Sequence, residues 1–183
     1  MRRSDGPRLA WAVTGSGHFL KECLDLARRH PDVDLFLSKA GAEVMAMYGI
    51  DTRELRRTMT CYRDTTASAP PVGLFYHGRY ARLVVAPATS NTVAKMVWGV
   101  ADTLVTNIYA QAGKCRIPSI VFACDTEPVM ETEAPEGPVM VYPRRIDLEN
   151  VARLRELEYT SVVTSFSELV DMLERQWPST SCS

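Results

Sequence analysis

The segment that decides the fold lies near the middle of the chain, where residues 83–100 read LVVAPATSNTVAKMVWGV. It begins with a short apolar run, 83–86, that ends at Pro87. Small polar residues follow, and apolar residues at helical spacing then continue over 93–100. The apolar run predicts a strand that is buried on both faces. A helix directly after such a strand predicts a crossover to a parallel neighbour.

The same succession of strand and helix recurs along the chain. Further strands are predicted at 9–13, 33–37, 119–123 and 161–163. Further helices are predicted at 19–29, 38–47, 103–112 and from Ser165 to about Trp177. Two stretches, 65–71 and 125–138, are expected to be long loops. This alternation predicts an α/β fold, a doubly wound Rossmann or flavodoxin-like parallel sheet with helices on both faces.

Length and composition exclude several classes of protein. The 183 residues fit one domain, 1–183, with 1–7 and 178–183 as flexible tails. A net charge of −1 gives no electrostatic reason to expect nucleic acid, and no apolar run is long enough for a membrane span. The five cysteines form no C-x-x-C pair, which argues against a metal site. Reduced thiols in a cytoplasmic protein are expected.

Small polar residues follow three of the predicted strands, where an open parallel sheet binds ligands. They are Gly15, Ser16 and Gly17 after the first strand, Ser38 and Lys39 after the second, and Thr89, Ser90, Asn91 and Thr92 after the third. Each group opens a helix, whose exposed N–H groups and dipole favour an anion. The sequence therefore predicts a phosphate site at these three strand ends.

Each of these motifs also has a plainer interpretation. Position 20 is Leu, so the first motif lacks the third glycine of a dinucleotide fingerprint and a tight turn is about as plausible. Ser38 and the cluster 90–92 could serve only as helix caps. Isolated histidines, here His18, His30 and His77, more often lie at the surface or in packed positions than in catalytic sites. Four large side chains at helical spacing are expected in the core, namely Trp98, Met45, Met47 and Met96.

The segments 85–95, VAPATSNTVAK, and 99–106, GVADTLVT, carry a family resemblance. They resemble the flavin-contacting segment of the homo-oligomeric flavin-containing cysteine decarboxylase superfamily, with its Pro-Ala-Ser-Ala-Asn-Thr motif. Asn107 with Gln111, together with 144–154, resembles the branch of archaeal-type flavoproteins and dihydromethanopterin reductase (acceptor). The resemblance spans residues 8–175.

The resemblance implies that the cofactor is FMN. Its phosphate would contact Gly15, Ser16, Gly17 and Ser38, with Lys39 beside them, while Thr89, Ser90, Asn91 and Thr92 would meet the ring or the ribityl chain. It also implies a homo-oligomer that is trimer-based, possibly a larger closed shell, with FMN at a subunit boundary. The helix predicted at 103–112 carries no charge, which predicts burial. A neighbouring subunit is the favoured cover, and burial within its own domain is the alternative.

The implied reaction is reduction of a dihydropterin (dihydromethanopterin) to its tetrahydro form, in tetrahydromethanopterin-linked one-carbon metabolism. Electrons would come from an external donor such as a reduced nicotinamide or another flavoprotein. The proton donor is left open among His77, Tyr109 and solvent. Cysteine decarboxylation is disfavoured, because 123–126 reads ACDT where the decarboxylases have Pro-Ala-Met-Asn. A thiol-substrate decarboxylase and an electron-transfer flavoprotein without an organic substrate are the alternatives.

Overall fold

A six-stranded parallel sheet forms the centre of the molecule. The computed structural model describes residues 7–30, 32–66 and 69–176. The strands of this sheet are β1 Arg8–Val13, β2 Val33–Leu37, β3 Thr60–Arg63, β4 Tyr80–Ala88, β5 Ser119–Ala123 and β8 Thr160–Val163. Their order in the sheet is β3-β2-β1-β4-β5-β8. The predicted fold class is confirmed.

Helices cover both faces of the sheet. They are α1 Leu20–Arg28, α2 Lys39–Met47, α3 Thr52–Thr58, α4 Gly73–Tyr76, α5 Ser90–Val97, α6 Leu104–Lys114, α7 Arg145–Leu154 and α8 Phe166–Gln176, with a 3-10 turn at Pro70–Val72. Residues of β1 alternate between two hydrophobic cores. Trp11 faces a core with α1, α2, α3 and α8, whereas Ala10 and Ala12 face one with α4, α5, α6 and α7.

The strand order reverses between β1 and β4, which are neighbours in the sheet. Thr14 ties the two strand ends together there. Its hydroxyl donates to the Pro87 carbonyl oxygen at 2.8 Å and accepts from the Thr89 N–H at 2.9 Å. Open α/β sheets bind ligands at the carboxyl side of such a reversal.

Several elements differ from the sequence prediction, which contained no helix at α3, α4 or α7. β3 was not predicted, because this edge strand is only half-buried and has no apolar run. The stretch predicted as a loop at 125–138 instead contains most of an antiparallel hairpin, β6 Met130–Ala134 and β7 Gly137–Val141. The two exposed glutamates of β6, Glu131 and Glu133, gave it the composition of a loop. Within 65–71, the last two residues belong to the 3-10 turn, and 67–68 lie outside the described residues.

Two of the four side chains expected in the core are exposed, so that prediction was wrong for them. Met45 and Met96 are buried, but Met47 and Trp98 lie at helix ends and are 65% and 61% exposed. The Trp98 indole donates to Asn150 Oδ1 at 3.3 Å, and the Arg153 guanidinium lies 5.0 Å from its ring centroid.

The helix α6, which has no charged residue before Lys114, is covered by its own chain. Six of its residues are buried, among them Leu104, Ile108 and Gln111. It packs against α4, α5 and the sheet, so the absence of charge over 103–112 is explained within one domain, and a neighbouring subunit is not needed to cover this helix. Residues 1–6 and 177–183, which include both predicted tails except Pro7, lie outside the described residues. None of the described helices has the length and apolar character that crossing a membrane requires.

Candidate functional site

A cavity of about 520 Å³ lies over the reversal in strand order, at the carboxyl edge of the sheet. The loops after β1, β2, β3 and β4 form its wall, together with the start of α6. Its lining residues are Thr14, Gly15, Ser38, Lys39, Ala40, Asp64, Thr65, Thr66, Thr89, Asn91, Thr92, Lys95, Asp102 and Thr103. Hydroxyl groups and charged side chains predominate among them.

Three helices begin at this cavity, and each has its capping residue in the wall. Ser38 Oγ accepts from Gly41 N at 2.9 Å, Thr89 Oγ1 from Thr92 N at 3.3 Å, and Thr103 Oγ1 from Thr106 N at 3.2 Å. The helices α2, α5 and α6 contain nine, eight and eleven residues. Because each N-terminus carries a partial positive charge, together they favour an anion.

The charged side chains of the cavity differ in their pairing. Lys95 Nζ lies 2.8 Å from Asp102 Oδ2, and this hydrogen bond holds the pKa of Asp102 below its ordinary value. Lys39 has no acidic partner among residues 7–30, 32–66 and 69–176. Its positive charge is therefore available to a ligand.

Glycines allow α2 to approach the end of β1 closely. A Cβ at Gly15 would lie 2.6 Å from Ala40 Cβ, and one at Gly41 would lie 2.6 Å from the Val13 carbonyl oxygen. Both distances are too short for real atoms. The first predicted motif thus owes its glycine to this close approach, which brings Ser38 beside the β1 loop.

The structure brings six of the nine predicted binding residues to the cavity wall. These six are Gly15, Ser38, Lys39, Thr89, Asn91 and Thr92, whereas Ser16, Gly17 and Ser90 do not line it. Ser16 Oγ accepts from the His18 N–H at 3.1 Å and from the Cys124 thiol at 3.2 Å. Ser90 Oγ donates to the Asp125 carboxylate. Burial raises the pKa of the Cys124 thiol to about 12, so the thiol stays protonated and its hydrogen bond to Ser16 is structural.

Gly17 has a different neighbour, the side chain of Tyr48. A Cβ at Gly17 would overlap the Tyr48 hydroxyl, which donates to the Glu133 carbonyl oxygen of the hairpin at 2.9 Å. Gly17 therefore leaves room for the residue that fastens the hairpin over the carboxyl edge.

A second cavity, of about 370 Å³, lies under this hairpin. It is lined by His18, Phe19, Glu131, Thr132, Glu133, Ala134, Gly137 and Pro138. His18 Nδ1 lies 3.3 Å from Thr132 Oγ1. Burial lowers the pKa of the His18 imidazole, although the carboxylates of Asp125, Glu133 and Glu22 act in the opposite direction.

The two side chains considered as proton donors lie at the opposite edge of the sheet. The Tyr109 hydroxyl is 2.7 Å from Thr160 Oγ1, and Thr160 is the first residue of β8. His77 follows α4 and precedes β4, so it also lies at the amino edge. Within one chain, neither contacts the two cavities.

Sequence reasoning missed several residues of the carboxyl edge. Thr14, Lys95 and Thr103 line the first cavity, and His18 lines the second. The Thr-x-x-Thr spacing at 103–106 is a capping signal that could have identified Thr103. No comparable signal exists for His18, because its position depends on the hairpin that packs over it.

The chain matches the family described as Flavoprotein over residues 1–176. It belongs to that family. This flavoprotein is 39% identical to a dihydromethanopterin reductase (acceptor) of Methanosarcina mazei over 141 residues, which are 70% of this chain and 59% of that protein. It is 36% identical to an uncharacterised protein of Methanocaldococcus jannaschii over 164 residues, 85% of this chain and 88% of the relative. The flavoprotein spans little more than half the length of the dihydromethanopterin reductases it matches.

Solved structures extend this similarity. The flavoprotein is 51% identical to Burkholderia xenovorans DmrB, solved in complex with FMN and described as a cubic protein cage for redox transfer. The TM-score is 0.88, over 94% of this chain and 96% of that chain. A dodecameric FMN-dependent decarboxylase of Escherichia coli, 17% identical with a TM-score of 0.66, shares the fold. The family resemblance noted at 85–106 is confirmed.

Proposed function

We propose that this flavoprotein binds FMN at the carboxyl-edge cavity and is an FMN-dependent oxidoreductase of the dihydromethanopterin reductase (acceptor) type. It would reduce a dihydropterin with electrons from an external donor. The observation that carries the proposal is the convergence of three helix N-termini and Lys39, which has no acidic partner among the described residues, on one cavity. The 51% identity to a DmrB that was solved with FMN supports it.

The cavity fits the phosphate end of FMN. A volume of about 520 Å³ lies within the range of ligand sites, roughly 300–1,000 Å³. Ser38 and Lys39 would hold the phosphate, with the amides of the Gly15 turn. Thr89 and Asn91 would contact the ribityl chain or the ring. The close approach at Gly15 and Gly41 keeps these donors on one side of the cavity.

When bound, FMN would supply two-electron transfer between an external donor, such as a reduced nicotinamide, and the C=N bond of a dihydropterin. The chain's own residues would provide position and electrostatics. Helix N-termini at Ser38, Thr89 and Thr103 stabilise negative charge in the cavity. The hairpin fastened by Tyr48 would exclude water from one side. Donor and acceptor using one site in turn would give ping-pong kinetics.

We further propose a trimer-based homo-oligomer, possibly a larger closed shell, with FMN at a subunit boundary. The cubic cage of DmrB and the dodecamer of the decarboxylase support this proposal. Large apolar side chains that one chain leaves exposed also support it, namely Trp98, Val100, Met140, Tyr142 and Ile146. Dissociating such an oligomer should release FMN, because each protomer would hold only part of the site.

The decisive test of this function is a single turnover without oxygen. Protein loaded with FMN is reduced, freed of excess reductant and mixed with a dihydropterin. The proposal predicts one tetrahydropterin formed for each flavin reoxidised. An electron-transfer flavoprotein would leave the dihydropterin unchanged while reducing a protein acceptor. Carbon dioxide released from a thiol substrate would instead identify a decarboxylase.

A further inference from the structure

The cavity under the hairpin and the proposed FMN cavity are both bordered by the loop after β1. The β1 loop contributes Gly15 to the FMN cavity and His18 to the hairpin cavity. Asn91 lines the FMN cavity, and the preceding Ser90 donates to Asp125, whose charge acts on His18. The hairpin cavity is thus placed to hold a second molecule beside the cofactor.

The lining of the hairpin cavity suits a flat heteroaromatic ring with N–H donors. Phe19, 36% exposed, provides an aromatic wall that is stacked at 5.7 Å on Phe166. Aromatic rings favour such stacked or edge contacts. Glu131 and Glu133 line the same cavity, and ionised carboxylates only accept hydrogen bonds. The amino-pyrimidine edge of a pterin presents adjacent N–H groups of the kind a carboxylate accepts.

His18 is the histidine of the described residues that lies at the carboxyl edge. His30 lies between α1 and β2, and His77 precedes β4, so both are at the amino edge. The His18 ring makes an edge contact with Phe19, at 4.5 Å between centroids. Its Nδ1 faces Thr132, so the hairpin fixes the orientation of the ring.

We propose that the hairpin cavity binds the pterin ring and that His18 supplies the proton taken up by the reduced nitrogen. The inference rests on the proposed function and deepens it. The carbon of the C=N bond would take a hydride from bound reduced FMN, which would thereby be oxidised. The nitrogen of that bond takes a proton from the His18 imidazolium, which leaves neutral imidazole. His18 then regains a proton from solvent, and a reduced nicotinamide restores the flavin.

The surroundings of His18 match this task. Burial lowers the pKa of the imidazole, so the protonated form is a strong acid when it occurs. The carboxylates of Asp125 after β5, Glu133 on β6 and Glu22 on α1 stabilise that form. Because the protonated form is the donor, pterin reduction should become slower as the pH rises above the pKa of His18.

The test separates the half-reactions of the FMN-loaded protein. In His18→Asn, flavin reduction by dithionite and reoxidation by ferricyanide should keep their wild-type rates, since neither reagent takes a proton from the protein. Pterin reduction should fall about 100-fold or more, the usual effect of losing a general acid, and should lose its dependence on pH. Pterin reduction at the wild-type rate would overturn the inference.

His77→Asn is the matched control. It makes the same substitution at an exposed histidine of the amino edge, outside both cavities. Pterin reduction should stay within a few-fold of wild type, with its pH dependence intact. A loss as large as that of His18→Asn would show that the effect is not specific to the hairpin cavity, and would overturn the inference.

A binding measurement distinguishes failure of this inference from failure of the proposed function. Wild-type protein is titrated with 6-methylpterin, an oxidised pterin that cannot be turned over, while NMR follows the His18 ring and its pKa. The inference predicts that the ring signals and the pKa both shift on binding. Unchanged His18 signals would refute it whatever the turnover. Shifted signals without any dihydropterin reduction would support the cavity but contradict the proposed function and the proton transfer.

Discussion

The two edges of the sheet use polar residues in opposite ways. At the amino edge, Asp34 is fully buried and accepts hydrogen bonds from Arg8 at 2.7 Å, from Tyr80 at 2.8 Å and from Arg79 at 3.1 Å. At the carboxyl edge, the capping residues and Lys39 face a cavity. Polar groups that satisfy one another stabilise the fold, whereas polar groups around a cavity are available to a ligand.

The largest expected effect follows from removing the centre of the amino-edge network. Asp34→Ala should lower the free energy of unfolding by about 3–5 kcal/mol, because it leaves the buried Arg8 without its main partner. Asp25→Ala breaks an exposed ion pair with Arg28 and should cost less than about 1 kcal/mol. Urea unfolding measures both. Equal losses, or loss of FMN from folded Asp34→Ala protein, would contradict the division between the edges.

The same network should respond to acid. Burial alone would raise the pKa of Asp34, but hydrogen bonds from Arg8 and Tyr80 outweigh it, so the pKa lies below its ordinary value. Stability from a carboxyl with a lowered pKa is fully present above its unfolded pKa of about 4 and is lost as the pH falls further. The stability difference between wild type and Asp34→Asn should therefore be constant from pH 7 to 5 and shrink below about pH 4. If the stability difference instead changed around pH 6, a group other than Asp34 would be responsible for it.

A smaller effect is expected where α2 approaches β1. Gly41→Ala should cost about 1–3 kcal/mol and weaken FMN binding at least tenfold, since its new methyl group would meet the Val13 carbonyl oxygen and push Ser38 away. Gly113→Ala is the control, because a Cβ in α6 at that position meets nothing within 4 Å. It should stabilise the protein by up to about 1 kcal/mol. FMN titration with wild-type affinity for Gly41→Ala would show that the approach does not shape the site.

The smallest effects separate capping from binding within one turn of α5. Thr89 is the N-cap, so Thr89→Ala should cost about 1 kcal/mol of stability. Asn91 lines the cavity and is exposed, so Asn91→Ala should leave stability within about 0.5 kcal/mol. Asn91→Ala should weaken FMN binding about tenfold, because a tenfold loss of affinity corresponds to about the free energy of one hydrogen bond. Unchanged FMN affinity in Asn91→Ala would mean that the side chain does not contact the flavin.

Sequence predicted the elements whose signal is local. Short apolar runs identified the five strands of the sheet interior and of its β8 edge, and Ser38 was recognised as a possible helix cap. The strand β3 and the hairpin carry polar, half-exposed residues, and their pairing partners are distant in the chain or across a turn. The alternation of Met130, Thr132 and Ala134 with glutamates was the signal for β6.

The residues of the site were likewise predictable from sequence only where their signal is local. Six predicted binding residues meet at one cavity because the carboxyl ends of parallel strands share an edge. His18 could not be distinguished from His30 and His77 by sequence, because only the fold shows which edge each one occupies. Trp98 was expected in the core since its spacing is helical, yet it lies just beyond the last turn of α5. The sequence shows the spacing of a residue along its helix, but whether other elements cover that residue depends on the whole fold.

The most direct test of the central claim compares FMN with riboflavin, which lacks the phosphate. If the three helix N-termini and Lys39 bind that phosphate, the protein should take up FMN and bind riboflavin about 100-fold more weakly, a difference of roughly 3 kcal/mol. Lys39→Ala should weaken FMN binding and leave riboflavin binding unchanged. Equal affinity for the two flavins, or no uptake of either, would contradict a phosphate site at the carboxyl edge.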